Sequence, residues 1–384
     1  MKQNFYEPDH ESFREVVAAF VEREVLPNLD RWDEQRLIDR ETWLVAGRQG
    51  IIGLSAPEEF GGPASPDYRF RMVVLEELGK AFATSLASSF SLQDDILIPY
   101  ISAFGTDEQR RRWLPPMISG ELIAAIAMTE PGTGSDLQGI RTSAVRVDGG
   151  WRVNGAKTFI TSGIQCDLVV VVARTDPEGG PHGFTLLVVE KDMPGFTRGR
   201  KLDKVGLDAQ DTAELFFEDV FVPEANLLGE VGGGMAQLKQ MLPLERLSIA
   251  AHAVAVSEAV LANTVEYTRQ RTAFGKRIAD FQNTRFQLAE MATELDVTRA
   301  YVERAILAHN AGELTVVDAA KAKWWASEIQ NRIIDRCLQL HGGYGYMLEY
   351  PVARAFKDAR IQKIFGGTNE IMKHIIGRDL VGRP

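Results

Sequence analysis

Cysteine is nearly missing from this chain, with only Cys166 and Cys337 among 384 residues. Two thiols make no disulfide framework, so reduced cysteines in a reducing compartment are expected. Basic residues are in deficit as well. A net charge of −10 at pH 7 excludes a broadly basic nucleic-acid face, though not a local cationic pocket. Long apolar runs are also lacking. "LVVVVA", Leu168 to Ala173, is far too short to span a bilayer. The N-terminal "MKQNFYEPDHESFREVV" has no apolar core and no Arg-rich amphipathic pattern, so a cytoplasmic location is expected. No GxSxG elbow or Walker loop occurs. His341 has no second His or carboxylate at ligand spacing, so no metal site is expected.

What is present is the composition of a globular protein, 45% hydrophobic and 25% charged, long enough for two or three domains. Three textures follow one another. "SFREVVAAFVEREVLP" puts Phe13, Val16, Val17, Phe20, Val21 and Val25 on one helical face, which Pro27 closes. "EEFGGPASPDY", Glu58 to Tyr68, is a loop by composition. The period then changes. "AVRVDGGWRVNG" reads as strand, Asp148-Gly149 turn, strand, and "DLVVVVAR", "FTLLVVEK" and "TAELFFEDVFVP" are further short strands. Strands without long helices between them predict an antiparallel barrel or sandwich. After "GEVGGGM" the helical period returns and persists. The predicted organisation is an N-terminal helical domain over residues 1–121, a β domain over 122–230 and a helical bundle over 231–384.

Several stretches have the chemistry of a site. "AMTEPGTGSDLQG", Ala127 to Gly139, holds glycines and hydroxyls that suit either an ordinary loop or close approach to an anionic or carbonyl-rich ligand. It is not a dinucleotide fingerprint, since the third glycine is missing and strands follow. "KTFITSG" sets Phe159 and Thr161 on one side of a strand, either facing a core or offering a face to a flat heteroaromatic ring. "LPLERLSIAAHA" places Glu245 and Arg246 at the start of a long apolar helix. They form either a solvated first turn or a carboxylate aimed into a pocket. "TRQRTAFGKRI" combines cations with Phe274, as a solvated helix end or as a pyrophosphate and adenine site. "LQLHGGYGYMLEYP" is a Gly-aromatic turn between helices.

Together, "MTEPGTGSDL", "NGAKTFITSG", "RTAFGK", "QLHGGYGY" and "GGTNEI" resemble the acyl-CoA dehydrogenase family in order and spacing. The resemblance covers essentially the whole chain and is closest to the long-chain type. It implies an α+β multidomain fold: a helical domain, a middle antiparallel β-barrel and a C-terminal four-helix bundle. It also implies FAD, an acyl-CoA substrate, electron-transfer flavoprotein as acceptor and a homotetramer active in fatty-acid metabolism. By resemblance, Ile126, Met128, Thr129, Gly134 and Ser135 would line the flavin, with Phe159 against its ring and Thr161 bonded to it. Arg271, Phe274 and Gln282 would reach a neighbouring subunit's FAD. Gln339, Gly342 and Gly343 would meet its pyrophosphate or adenosine, and Thr368 and Glu370 would complete the cradle. Ser135, Leu242 and Arg246 would lie near the substrate.

The departure from the family is at "IFGGTNEIM". Most members read "EGT" there, and that Glu removes the α proton. This chain has Gly366-Gly367-Thr368. The long-chain and isovaleryl-type members also lack that Glu and carry the base on the helix holding "ERL", where Glu245 stands here. The resemblance therefore implies Glu245 as base, hydride transfer from the β carbon to flavin N5, and the Gly366 backbone N–H as a donor to the enolate oxygen. "SLQDDILIPY" should run near the acyl pocket, yet carries Asp94 and Asp95. These acids either face solvent or bond a helix end, or they serve a polar acyl group. Alternatives are a flavin oxidase or monooxygenase on the same scaffold, or a dehydrogenase of carrier-protein-bound acyl groups.

Overall fold

The computed structural model describes residues 5–63 and 66–382. Ala64 and Ser65 of the expected loop lie outside the described residues. Helices come first: α1 (Pro8–Phe20), α2 (Leu29–Gln35), α3 (Arg40–Arg48), α4 (Tyr68–Lys80), α5 (Thr84–Ser91), α6 (Ile98–Phe104) and α7 (Asp107–Ile118). Val17, Phe20, Val21 and Val25 are buried as their spacing predicts, but Val16 is exposed. The regular helix gives way at Val21–Val25 to a wider turn, then to a tight one over Leu26–Asn28. Pro27 lacks the N–H that would continue the ladder.

The β domain holds β1 (Ala124–Ala127), β2 (Ser143–Val147), β3 (Gly150–Thr161), β4 (Leu168–Arg174), β5 (Phe184–Glu190), β6 (Phe196–Lys201), β7 (Thr212–Pro223) and β8 (Leu227–Leu228). Their order is β6-β7-β3-β2-β4-β5-β8, with β1 added beside β4. This corrects the expected antiparallel barrel in two respects. β1 and β2 each run parallel to β4, and the end strands β6 and β8 are not paired, so the sheet stays open. Short alternating runs foretell strands, but nothing in Ala124 or in Leu168 foretells that the two pair.

The valine run of β4 has a packing cause. Leu168, Val170 and Val172 enter one core cluster with Leu186, Val188 and the helical Leu97, Ile101 and Trp113. Val169, Val171 and Ala173 enter another with Leu187 and Val189. A strand covered on both faces needs no polar alternation.

The C-terminal part comprises α8 (Gly234–Gln270), a short hairpin of β9 (Thr272–Ala273) and β10 (Lys276–Arg277), α9 (Gln282–Asn310), α10 (Val316–His341), α11 (Pro351–Ala359) and α12 (Asn369–Val381). α8 is the central rod, packed on α10, α9 and, from the N-terminal domain, α4. It is long and apolar enough to cross a membrane by length and composition, but 67% of its most apolar window is buried in protein. Both cysteines are buried and free.

Candidate active site

Glu245 does not sit where the sequence suggested. α8 begins at Gly234 and runs through Pro243, so Glu245 lies well past the first turn. The helix dipole acts within that turn and therefore does not set the carboxyl's acidity. Burial does. It pushes Glu245 up to about 7, against the lowering pull of a Tyr100 hydrogen bond and then of the Arg246 charge. Tyr100, from α6, is fully buried and donates its OH to Glu245 Oε1 at 3.0 Å. No motif singles out Tyr100. The two residues meet only because α6 packs against α8.

Arg246 is buried beside Glu245, and its Nε has no hydrogen-bond partner. Burial lowers its pKa and Glu245 opposes this. Leu242, one turn earlier on α8, is half-buried. Gly366 and Gly367 lie across from this helix. Both have left-handed backbone, with φ of +63° and +92°. A Cβ on Gly366 would overlap Ile249 Cδ1, and one on Gly367 would lie 2.9 Å from Met372 Cε and 3.9 Å from Arg246 Nη2. The left-handed backbone favours glycine at both positions, and any side chain there would have to displace the ends of Ile249 or Met372. Thr368 caps α12, accepting from Ile371 N at 3.4 Å, and Glu370 is exposed in the first turn.

Asp94 and Asp95 are buried, which corrects the solvent-facing reading. Arg71 of α4 lies between them, with Nε 3.3 Å from Asp95 Oδ2 and Nη1 3.9 Å from Asp94 Oδ2. Gly53 N donates to Asp94 Oδ1 at 2.8 Å, and Ser248 Oγ bonds Asp95. Ser248 is three residues beyond Glu245 on α8. The acids thus tie α4, the segment before α6 and the helix bearing Glu245 together. Arg71 pairs mainly with Asp95, while burial pushes Asp94 up to about 7.

A second group lies on the β domain. In β3, Lys157 pairs with Leu215 and Ile160 with Ala213, so Thr158 and Phe159 together oppose one residue. This bulge breaks the simple alternation expected of Phe159 and Thr161. Phe159 takes φ of +60° and leaves its ring 68% exposed, a strained display of a kind found at ligand sites. Beneath it, the buried Lys157 Nζ donates to Met128 O at 3.0 Å, Val172 O at 2.8 Å and Glu130 Oε1 at 2.9 Å. Thr158 N donates to Thr129 O at 2.9 Å. Ile126, Met128 and Thr129 are half-buried. Gly134 and Ser135 are exposed just beyond the tight turn closed by the Glu130–Thr133 bridge.

A third group lines a groove of about 680 Å³ with Tyr267, Arg271, Gln339, Gly342, Gly343 and Tyr344. A Cβ on Gly342 or Gly343 would meet nothing within 4 Å. Arg271 lies over the Tyr344 ring at 5.2 Å. His341 Nδ1 sits 2.8 Å from Cys337 O, and its ring stacks on Tyr267. Phe274 is 95% exposed at φ of +52° in the β9–β10 turn, and Gln282 is exposed where α9 begins. Among the described residues, no group of three or more His, Cys, Asp or Glu could hold a metal.

These groups fit FAD. An exposed aromatic ring on strained backbone, with the half-buried Thr161 two residues further along the strand, suits the flavin ring. An open, glycine-floored groove with a cation suits a pyrophosphate, and a bare Phe suits adenine. The remaining group joins a buried, weakly acidic carboxyl to a glycine loop with backbone donors, the parts needed to take a proton from a carbon acid.

Three family descriptions match the chain: acyl-CoA dehydrogenase N-terminal domain at residues 7–121, middle domain at 125–220 and C-terminal domain at 232–381. The long-chain specific acyl-CoA dehydrogenase, mitochondrial, of Sus scrofa is 47% identical over 381 residues, 99% of this chain and 88% of that protein. An acyl-CoA dehydrogenase crystal structure from Geobacillus kaustophilus superposes with a TM-score of 0.96 at 46% identity, covering 99% of this chain and all of that one. A glutaryl-CoA dehydrogenase from Mycobacterium smegmatis, solved in complex with FADH2, superposes with a TM-score of 0.92 at 27% identity, covering 99% and 96% of the two chains.

Proposed function

This chain belongs to the acyl-CoA dehydrogenase family, and from that premise we propose that Glu245 is the base that takes the α proton of an acyl-CoA thioester, which, with loss of the β hydrogen as hydride, becomes the trans-2-enoyl-CoA. The observation that carries this is a carboxyl on a rigid helix, buried, held by Tyr100 and pushed up to about 7. A base of that strength is better matched to a weak carbon acid than an exposed carboxylate. The Gly366 N–H would donate to the developing enolate oxygen. The family is FAD-dependent, and bound FAD supplies the acceptor for the β hydrogen as hydride. Phe159, Thr161, Thr129 and the Ile126–Ser135 stretch would hold its ring. Arg271, lining one groove with Gln339, Gly342 and Gly343, would hold the phosphate end of a neighbouring subunit's FAD, and Thr368 and Glu370 would complete the cradle.

The substrate we favour is a fatty acyl-CoA. Asp94 and Asp95 are engaged by Arg71, Gly53 and Ser248, which supports an apolar over a polar tail. Leu242, Arg246 and Ser135 would lie along the thioester. Electron-transfer flavoprotein as acceptor, a cytoplasmic location, domain limits near residues 121 and 230, and a homotetramer complete the reading. In that tetramer Phe274 and Gln282 reach a neighbour's cofactor, and the bareness of Phe274 in one subunit supports it.

Anaerobic titration with saturated acyl-CoAs of increasing length tests this function. Long-chain thioesters should bleach the flavin absorbance, and the reduced enzyme should reoxidise slowly in air. Fast reoxidation would mark an oxidase, and no bleaching by any acyl-CoA would end the proposal.

Tyr100→Phe gives a test with a definite sign. The base must be ionised, so kcat/KM should rise with pH through about 7 in the parent enzyme. Tyr100 lowers the Glu245 pKa, so losing its OH should move that limb to higher pH, with little change on the alkaline plateau. A limb that stays put or moves down would separate Tyr100 from the base.

A further inference from the structure

Lys323, two turns into α10, is fully buried. Ammonium groups seldom are unless paired with an acid. Its Nζ instead donates to two neutral oxygens, Gly367 O at 2.8 Å and Asn369 Oδ1 at 2.9 Å. Neither nearby acid bonds it. Glu328 accepts from Lys363 at 2.8 Å and from Asn369 at 3.1 Å, and Glu370 is exposed. Among the described residues Lys323 forms no ion pair, and only the more distant charges of Glu370 and Glu328 oppose its desolvation.

Its contacts explain what a buried lysine achieves here. Gly366 and Gly367 are adjacent residues without side chains, both with positive φ, the loosest backbone a chain can have. On the near side the loop is anchored by Ile364 N and Phe365 N, which both donate to Ile361 O. On the far side Lys323 holds the Gly367 carbonyl. It also holds Asn369, which Ser327, one turn along α10, bonds in turn at 3.0 Å. We propose that Lys323 is the positioning residue of this loop, clamping Gly367 and Asn369 so that the Gly366 N–H keeps its aim at the acyl carbonyl.

The clamp also carries charge. Arg246 flanks the same loop from α8, so that it and, when protonated, Lys323 border the position where enolate charge would develop. Burial, and then Arg246, bring the Lys323 ammonium down to about 7. The proposal rests on the acyl-thioester reading above.

The test compares Lys323→Met, which keeps the length but loses every donor, with Lys323→Arg, which restores a cation. The probe is a conjugated enoyl-CoA analogue bound to the flavoprotein. Its absorption moves to the red as aligned donors polarise the thioester carbonyl, and no turnover is needed. The parent and Glu245→Gln should both show the red shift. Lys323→Met should lose most of it and about 10²-fold in kcat, the scale of one oxyanion donor. Flavin content should stay normal, and Lys323→Arg should recover part of both. An unchanged band and kcat in Lys323→Met would overturn the proposal. No red shift in the parent would instead overturn the thioester reading beneath it. Should Lys323→Met fail to accumulate as a flavoprotein, Asn369→Ala removes the second contact while keeping the lysine. A full red shift in that variant would also overturn the clamp.

Discussion

The Glu245→Gln enzyme is expected to bind FAD and acyl-CoA as the parent does, and to reduce its flavin about 10⁴-fold more slowly, the upper range for losing a general base. Gln keeps the shape and can still accept from Tyr100, so the loss would belong to the missing carboxylate. Stopped-flow bleaching under anaerobic conditions measures it, and near-parental rates would remove Glu245 from the mechanism. The same substitution should stabilise the protein, with a defined pH signature. The folded Glu245 pKa is raised from 4.5 to about 7, so the folded state holds the proton more tightly than the unfolded state. The cost of burying the carboxylate is therefore absent below about 4.5 and complete above about 7. The stability gain of Glu245→Gln should grow across that window to about 3 kcal/mol, the scale set by about 1.4 kcal/mol per pH unit over the rise from 4.5 to about 7. A gain equal at pH 5 and pH 8 would mean that some other contact had changed.

The second large effect is a rescue. If position 366 and Glu245 face the same α carbon, a carboxylate at 366 should restore activity to Glu245→Gln. Gly366→Glu alone is a poor test, because the new Cβ would overlap Ile249 Cδ1 and the backbone is left-handed, which costs an L residue about 1–2 kcal/mol. Adding Ile249→Val deletes the obstructing methyl. The triple variant Glu245→Gln, Ile249→Val, Gly366→Glu is expected to regain about 10²-fold over Glu245→Gln. A correctly folded, flavin-replete triple variant with no gain would show that the two positions do not share a target.

The motif-bearing parts of the site were legible because their chemistry is local. "ERL" and "GGTNEI" name Glu245 and the glycine loop directly. The residues that tune them were not. Tyr100 lies in "ILIPYIS" and reads as core. Lys323 lies in "AAKAKWW" and reads as one more helical lysine, because burial is set by what α10 packs against. Asp94 and Asp95 raised the right question, but their answer, Arg71, sits in another helix. The order of helical, strand-rich and helical parts followed from periodicity. The open sheet did not, since the parallel pairing of Ala124 with Leu168 is a matter of register between distant segments. The bulge at Phe159 likewise depends on a count of residues in β7.

α8 has a consequence as a ruler. It runs unbroken from Gly234 to Gln270, with Glu245 near one end and Arg271 as its C-terminal cap. At about 1.5 Å per residue, roughly 39 Å of rigid rod separates the proton-transfer end from the phosphate-groove end. The two ends are locked in rotation as well as in distance. Losing one residue between them would turn one end by about 100° relative to the other, so that only one could face its ligand. Losing seven, about two full turns, would nearly restore the angle but shorten the span by about 10 Å. Length changes in this helix should therefore be tolerated less well than almost any substitution along it.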